Sequence, residues 1–180
     1  MTVQVFDVKS NDSNIMYYTS YTIGKLRSII SYSIGGSFEA TKILDNIYLG
    51  GIDSANDYEA LEKIGIKNII SVIAGFSPSY PDKFDYLVLN ALDTTNTNLL
   101  EYFDITYAVI DNAVENDKKI LIHCIAGRSR SVTILAAYLI KKYGMSVKNA
   151  ILSIKNKRSI IEPNLYFINQ LYEYYNKLYK

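Results

Sequence analysis

The 180-residue chain has no Trp, one Cys, one His and three Pro. A single Cys excludes an intrachain disulfide and a structural zinc site built on several thiols. It points instead to a reducing, intracellular and cytoplasmic setting. Neither sign of charge dominates: 19 Lys and Arg against 18 Asp and Glu leave a formal net charge of +1. A globally basic nucleic-acid binder is therefore not expected. No apolar run reaches the length of a membrane span. The first residues, MTVQVFDVKSND, carry neither the basic start nor the apolar stretch of a secretory signal, so none is expected. What the sequence does have is 49% hydrophobic and 21% charged residues, ordinary for a folded domain and incompatible with disorder.

The charge is unevenly placed. Residues 1–117 hold 7 basic and 16 acidic side chains, whereas residues 118–180 hold 12 and 2. Solvated Lys-rich helix faces account for part of this, and a positive field around an anion site in the C-terminal third is the sharper reading. Residues 1–20 read as a polar, irregular arm. Ile23, Leu26, Ile30 and Ile34 fall at helical spacing, so a helix is expected over 21–34, stopped by Gly35-Gly36. So short an apolar stripe must pack on something to be stable, either its own domain or a second subunit, and a homodimer through 21–34 is one expectation.

From residue 38 onward strand-like and helix-like segments alternate. Two short strands flank Asp45-Asn46. A helix capped at Asp53 or Ser54 runs to Ile64 and ends at Gly65. Strands are expected over 66–73, 84–92 and 118–124, and helices over 99–116, 129–144, 146–158 and 164–179. This alternation implies an α/β domain over 38–180, with a central, mostly parallel twisted sheet flanked by helices and an N-terminal arm and helix over 1–37.

The chemistry concentrates in His123-Cys124-Ile125-Ala126-Gly127-Arg128-Ser129-Arg130-Ser131. The run joins an apolar strand to a helix, at the end of the sheet where open α/β folds bind ligands. A loop opening a helix there presents backbone N–H groups to an anion. Gly127 permits the tight curl such a cradle needs. Arg130, six residues after Cys124, can hold two phosphate oxygens with its planar fork. The same positive environment favours a Cys124 thiolate, the reactive nucleophile.

HCIAGRSRS resembles the signature of cysteine-dependent protein tyrosine phosphatases, H-C-x5-R-S/T, and in detail that of the dual-specificity branch. NIYLGG (46–51), AAYLI (136–140) and KRSIIEPNLYFINQL (157–171) are similar to further segments of that family. The resemblance covers roughly residues 38–178. It implies a small phosphatase acting on phosphotyrosine and phosphoserine or phosphothreonine in proteins, without a metal or other cofactor. By this resemblance Cys124 attacks phosphorus to form a cysteinyl-phosphate. The N–H groups of Ile125, Ala126, Gly127, Arg128, Ser129 and Arg130, with the Arg130 guanidinium, hold the phosphoryl oxygens. His123 orients the loop, Ser131 assists the thiolate, and Asn164 braces the loop or caps the following helix. Asp93, which lies 31 residues before Cys124, is the implied general acid. Asp104 and Asp111 fall within a helical pattern and are weaker candidates.

The sequence departs from the family pattern at Arg128, where many members carry an uncharged residue. An Arg on the rim could meet a second phosphate or an acidic peptide. It also raises the alternatives of a phosphoinositide or phospholipid substrate. Ile125 argues against these, because a lipid-phosphate phosphatase and several phosphoinositide phosphatases of the superfamily carry Lys there. Ser131-Val132 and Asp93 argue against an RNA 5′-triphosphatase. A non-catalytic phosphoprotein-binding module is the alternative of another class, opposed by the presence of Cys124, Arg130 and Asp93 together.

Overall fold

The computed structural model describes residues 1–7 and 40–180. The helix expected over 21–34, and with it the dimer contact, lies outside the described residues. Among the described residues six strands form one sheet: β1 (Val3–Asp7), β2 (Thr41–Leu44), β3 (Ile47–Gly50), β4 (Ile66–Val72), β5 (Asp85–Asn90) and β6 (Lys119–His123). Their spatial order is β1-β5-β4-β6-β3-β2. Every neighbouring pair is parallel except β2 with β3, an antiparallel hairpin turned at Asp45-Asn46.

Six α-helices accompany the sheet among the described residues: α1 (Ile52–Asn56), α2 (Tyr58–Ile64), α3 (Phe103–Glu115), α4 (Arg130–Tyr143), α5 (Val147–Lys157) and α6 (Leu165–Tyr179). The chain steps from β3 past β6 to β4, and later back from β5 past β4 to β6. Right-handed crossovers running in opposite directions put their helices on opposite faces, so α1 and α2 cover one face and α3 the other. Helices α5 and α6 then pack on α4. The burial of Ile120, Leu121, Ile122 and His123, successive residues of β6, reflects this double cover.

Three expectations need correction. Residues 3–7 do not belong to an irregular arm: they form β1, parallel to β5 from Val3 opposite Tyr86 to Asp7 opposite Asn90. The segment leaves its valines exposed, Val3 at 40% and Val5 at 58%. It is held by the ladder on the free edge of β5, and by a bond from the Thr2 N–H to Asp85, rather than by burial. The helix expected to be capped at Asp53 or Ser54 and to run to Ile64 is two helices, and the first starts at Ile52 with Gly51 as its N-cap, so that Asp53 and Ser54 lie inside it. Asp57 breaks it, accepting the Ala60 N–H as the N-cap of α2. Gly65 ends α2 as expected, in the left-handed conformation. The helix expected from residue 99 begins with a 3-10 turn, Leu100–Tyr102.

No helix among the described residues is long and apolar enough to cross a membrane. The core is continuous across the sheet and includes Ile122 of β6, wholly buried one residue before His123. Ile122→Ala should therefore destabilise the domain by about 2–5 kcal/mol. Urea unfolding should show a lower midpoint at unchanged slope; a shift too small to measure would mean that the packing around β6 can collapse into the vacated space.

Candidate active site

Strand pairing brings the site together. Gly50 of β3 lies opposite His123 of β6, so Gly50-Gly51 run beside the start of the loop 124–129. Gly127 has φ +62° and its backbone lies directly on Gly50: an added Cβ would come within 2.5 Å of the Gly50 carbonyl oxygen. The Ile52 N–H donates to the Ile125 carbonyl at 3.0 Å. Arg158, just past the end of α5, closes the other side. Its Nε donates to the Gly127 carbonyl at 3.0 Å and its Nη1 to Thr41 Oγ1 at 3.0 Å, with Nη2 reaching the Ala126 carbonyl at 3.5 Å. With these carbonyls engaged outside the curl, N–H groups are left to face inward. Those of Arg128 and Ser131 act on the Cys124 sulfur.

Cys124 is buried at the end of β6. Burial pushes its thiol up, but the Arg130 guanidinium, the Ser131 hydroxyl and the two N–H groups outweigh burial and leave it below its ordinary 9.0. Ser131 Oγ donates to Cys124 Sγ at 3.3 Å. His123 has no exposure and is pushed down to about 4, chiefly by burial, with the Arg130 charge adding to the shift and the Cys124 carbonyl opposing it. It is therefore neutral. Its Nδ1 lies 3.4 Å from the Cys124 carbonyl and its Nε2 2.7 Å from Ser71 Oγ. With the proton on Nδ1, Nε2 accepts from Ser71. Phe76 packs edge-on against the ring at 5.1 Å.

Arg130 opens α4 and is 4% exposed. A guanidinium at a helix N-terminus opposes the helix dipole, so its place there needs an anion. Nη1 donates to the Ala91 carbonyl at 2.9 Å. Nε lies 3.5 Å from Asp93 Oδ2 and makes no hydrogen bond. A buried charged donor without an acceptor is costly, and a phosphate oxygen is the kind of group that satisfies it.

Asp93 follows β5 on the loop that leads to α3. Its Oδ1 accepts from Ser129 Oγ at 2.9 Å and from Asn164 Nδ2 at 2.8 Å. Asn164 Oδ1 also accepts the Phe167 N–H as the N-cap of α6, so the bracing and capping readings coexist in one side chain. Gln170 of α6 holds the far end of this loop: Oε1 accepts the N–H groups of Leu99 and Leu100, and Nε2 donates to the Thr97 carbonyl. Asp104 and Asp111 are engaged elsewhere, with Lys141 and Tyr174 and with Lys142 and Tyr138 respectively.

The structure thus gathers Cys124, His123, Ser131, Arg130, Asp93, Asn164 and the loop residues. Arg158, Gln170 and Ser71 were not singled out from the sequence. Arg158 and Gln170 lie inside the quoted segment 157–171, which carried a signal for them. Ser71 sits in a β-branched strand and carried none.

The family model for the dual specificity phosphatase catalytic domain matches residues 47–177. The dual specificity protein phosphatase 1B of Arabidopsis thaliana is 36% identical over 139 residues, covering 77% of this chain and 83% of that protein. Dual specificity protein phosphatase 1 of the same plant is 40% identical over 129 residues, covering 72% of this chain and 65% of that protein. Among solved structures, a human tyrosine phosphatase-like serine/threonine/tyrosine-interacting protein superposes with a TM-score of 0.77 at 31% identity, covering 80% of this chain and all of the other.

Two measurements test the electrostatics. His123 is the sole histidine, so its ring-proton resonance can be followed without assignment. It should hold one chemical shift from pH 8 down to 5. The unfolded histidine takes up a proton near 6.5 and the folded one only near 4. Stability from this group is thus full above pH 6.5 and is lost as pH falls towards 4. For Cys124, alkylation by iodoacetamide should show a midpoint below that of an ordinary thiol, and Ser131→Ala should raise it. A ring that titrates near 6.5, or a midpoint indifferent to Ser131, would contradict these contacts.

Proposed function

The chain belongs to the dual specificity phosphatase family, and on that premise we propose that it hydrolyses phosphotyrosine and phosphoserine or phosphothreonine in proteins through a cysteinyl-phosphate. The observation that carries this reading is the buried Arg130 beside the Cys124 sulfur, with one guanidinium N–H lacking an acceptor. A phosphate monoester entering the loop supplies that acceptor and meets the inward N–H groups. These donors sit where charge builds on the equatorial oxygens, and they need no reorganisation as it does.

In the first step the Cys124 thiolate attacks phosphorus opposite the ester oxygen. The S–P bond forms as the P–O bond breaks, and Asp93 delivers a proton to the departing oxygen. Phenolates and especially alkoxides leave slowly without that proton. In the second step a water attacks the phosphoryl group and Asp93 takes its proton. The S–P bond breaks, inorganic phosphate forms, and the electron pair returns to Cys124. Ser131 Oγ, already donating to the sulfur, stabilises the returning thiolate. Arg130 moves from its pairing with Asp93 to the phosphate, which frees the carboxyl for proton transfer. Ser129 and Asn164 keep Asp93 over the loop throughout. Neutral His123 does not exchange protons with substrate; it fixes the peptide on which the cysteine sits.

Cys124→Ser should abolish turnover while keeping the fold and the affinity for inorganic phosphate. Arg130→Lys should be severely impaired, because an ammonium cannot replace the fork. Asp93→Asn should lose roughly 10²- to 10⁴-fold on esters with poor leaving groups and much less on an activated aryl phosphate. Steady-state kinetics across a leaving-group series, with trapping of phosphoenzyme by rapid acid quench, checks all three. Equal loss for every leaving group would remove Asp93 from the proton-transfer role. Chelators should leave every rate unchanged.

A further inference from the structure

One charged pair beside the loop has no part in the chemistry above. Arg128 lies between Gly127 and Ser129, and its backbone N–H faces the Cys124 sulfur. Its side chain leaves in the other direction and is 49% exposed. There Nη2 donates to Glu162 Oε2, whose side chain is 75% exposed. Glu162 belongs to the segment between α5 and α6, and its own N–H donates to the Arg128 carbonyl at 2.8 Å. The backbones are tied together independently of the ion pair. The carboxylate can therefore swing away without releasing the loop.

We propose that Glu162 occupies, in the resting protein, the place of a second substrate anion, and that Arg128 receives a second phosphate group of a doubly phosphorylated peptide when Glu162 leaves. The inference rests on the phosphatase reading above. Its physical basis is a competition between tethered anions. Exposed ion pairs are weak, so the pair can open readily. A peptide whose first phosphate is held over Cys124 presents its second group at high effective concentration, as the chain does with Glu162. Charge then decides. An acidic side chain offers the same single charge as Glu162 and gains little, whereas a phosphomonoester carries about −1.5 to −2 at neutral pH. Glu162 therefore acts as a filter, admitting a second phosphate and discounting a carboxylate.

The test compares kcat/KM for a peptide carrying two neighbouring phosphoresidues with that for the same peptide phosphorylated once. The wild type should prefer the first. Glu162→Gln, which keeps shape and removes the competing charge, should enlarge the preference by about fivefold. It should also extend the preference to a singly phosphorylated peptide with a neighbouring Glu, while changing hydrolysis of a small aryl phosphate less than threefold. Arg128→Gln, whatever its basal rate, should bring the ratio close to one. Raising the ionic strength should shrink the ratio in wild type and Glu162→Gln alike. A ratio identical in wild type and Glu162→Gln, with aryl phosphate still hydrolysed, overturns the subsite alone. A preference that appears only with short-chain bisphosphorylated inositol lipids overturns the peptide assignment. Failure of the wild type to hydrolyse any aryl phosphate overturns the phosphatase reading and this inference together.

Discussion

A Cβ on Gly127 would lie 2.5 Å from the Gly50 carbonyl oxygen and 2.9 Å from the Gly51 nitrogen, and this contact of backbone on backbone sets the curl of the loop. The parallel register of β3 and β6 puts Gly50 opposite His123, so two strands distant in sequence end at one point. Any side chain at Gly127 would push the loop off that point, and its φ of +62° already disfavours one. Once the loop is seated, Arg158 takes its outer carbonyls, and the inner N–H groups have the centre of the curl to serve. The donors around the sulfur thus follow from a fit between main chains that side-chain chemistry alone would not produce.

The groups inside that curl are costly to bury singly. A buried thiolate, a buried imidazolium and a buried guanidinium each pay a desolvation penalty. The structure resolves them in three different ways. His123 gives up its charge, keeping one hydrogen-bonding group on each side of the ring. Cys124 keeps its charge accessible because Arg130 and Ser131 stand beside it. Arg130 keeps its charge and is left with an unsatisfied Nε–H and a distant pairing to Asp93. Of the three, only Arg130 remains short of a partner, and the deficit matches an anion binding in front of the sulfur.

Much of this was legible in the residues. Strand and helix order was readable because β-branched runs and helical apolar spacing are local signals. The loop was readable because Cys, Gly and Arg at that spacing leave few structural explanations. Local signals failed where an element is stabilised from outside. β1 is an exposed edge strand held by the ladder of β5, and the short alternation of Val3, Gln4 and Val5 does not by itself say what the strand pairs with. The break at Asp57 was hidden because helical spacing continues across it, while the capping bond to Ala60 starts a new helix. Ser71 was invisible because its partner, His123, lies on another strand, and only the pairing of β4 with β6 brings them together.

The segment from Arg158 to Asn164 shows how the remaining parts depend on one another. Arg158 holds the loop carbonyls, the Glu162 backbone holds the Arg128 carbonyl, and Asn164 holds Asp93 while capping α6. Gln170, farther along the same helix, fixes the other end of the Asp93 loop. Loop, rim and proposed acid are therefore referenced to a single stretch between α5 and α6, and both helices pack on α4, which Arg130 opens. A shift of α6 against α4 would move Asp93 and Arg130 relative to each other before it disturbed the cysteine. Packing of Phe103 against Tyr174 and burial of Phe167 and Leu171 oppose that shift. The hydrophobic face of α6 thus stabilises the fold and, through Asn164 and Gln170, also sets the geometry on which the proposed proton transfer depends.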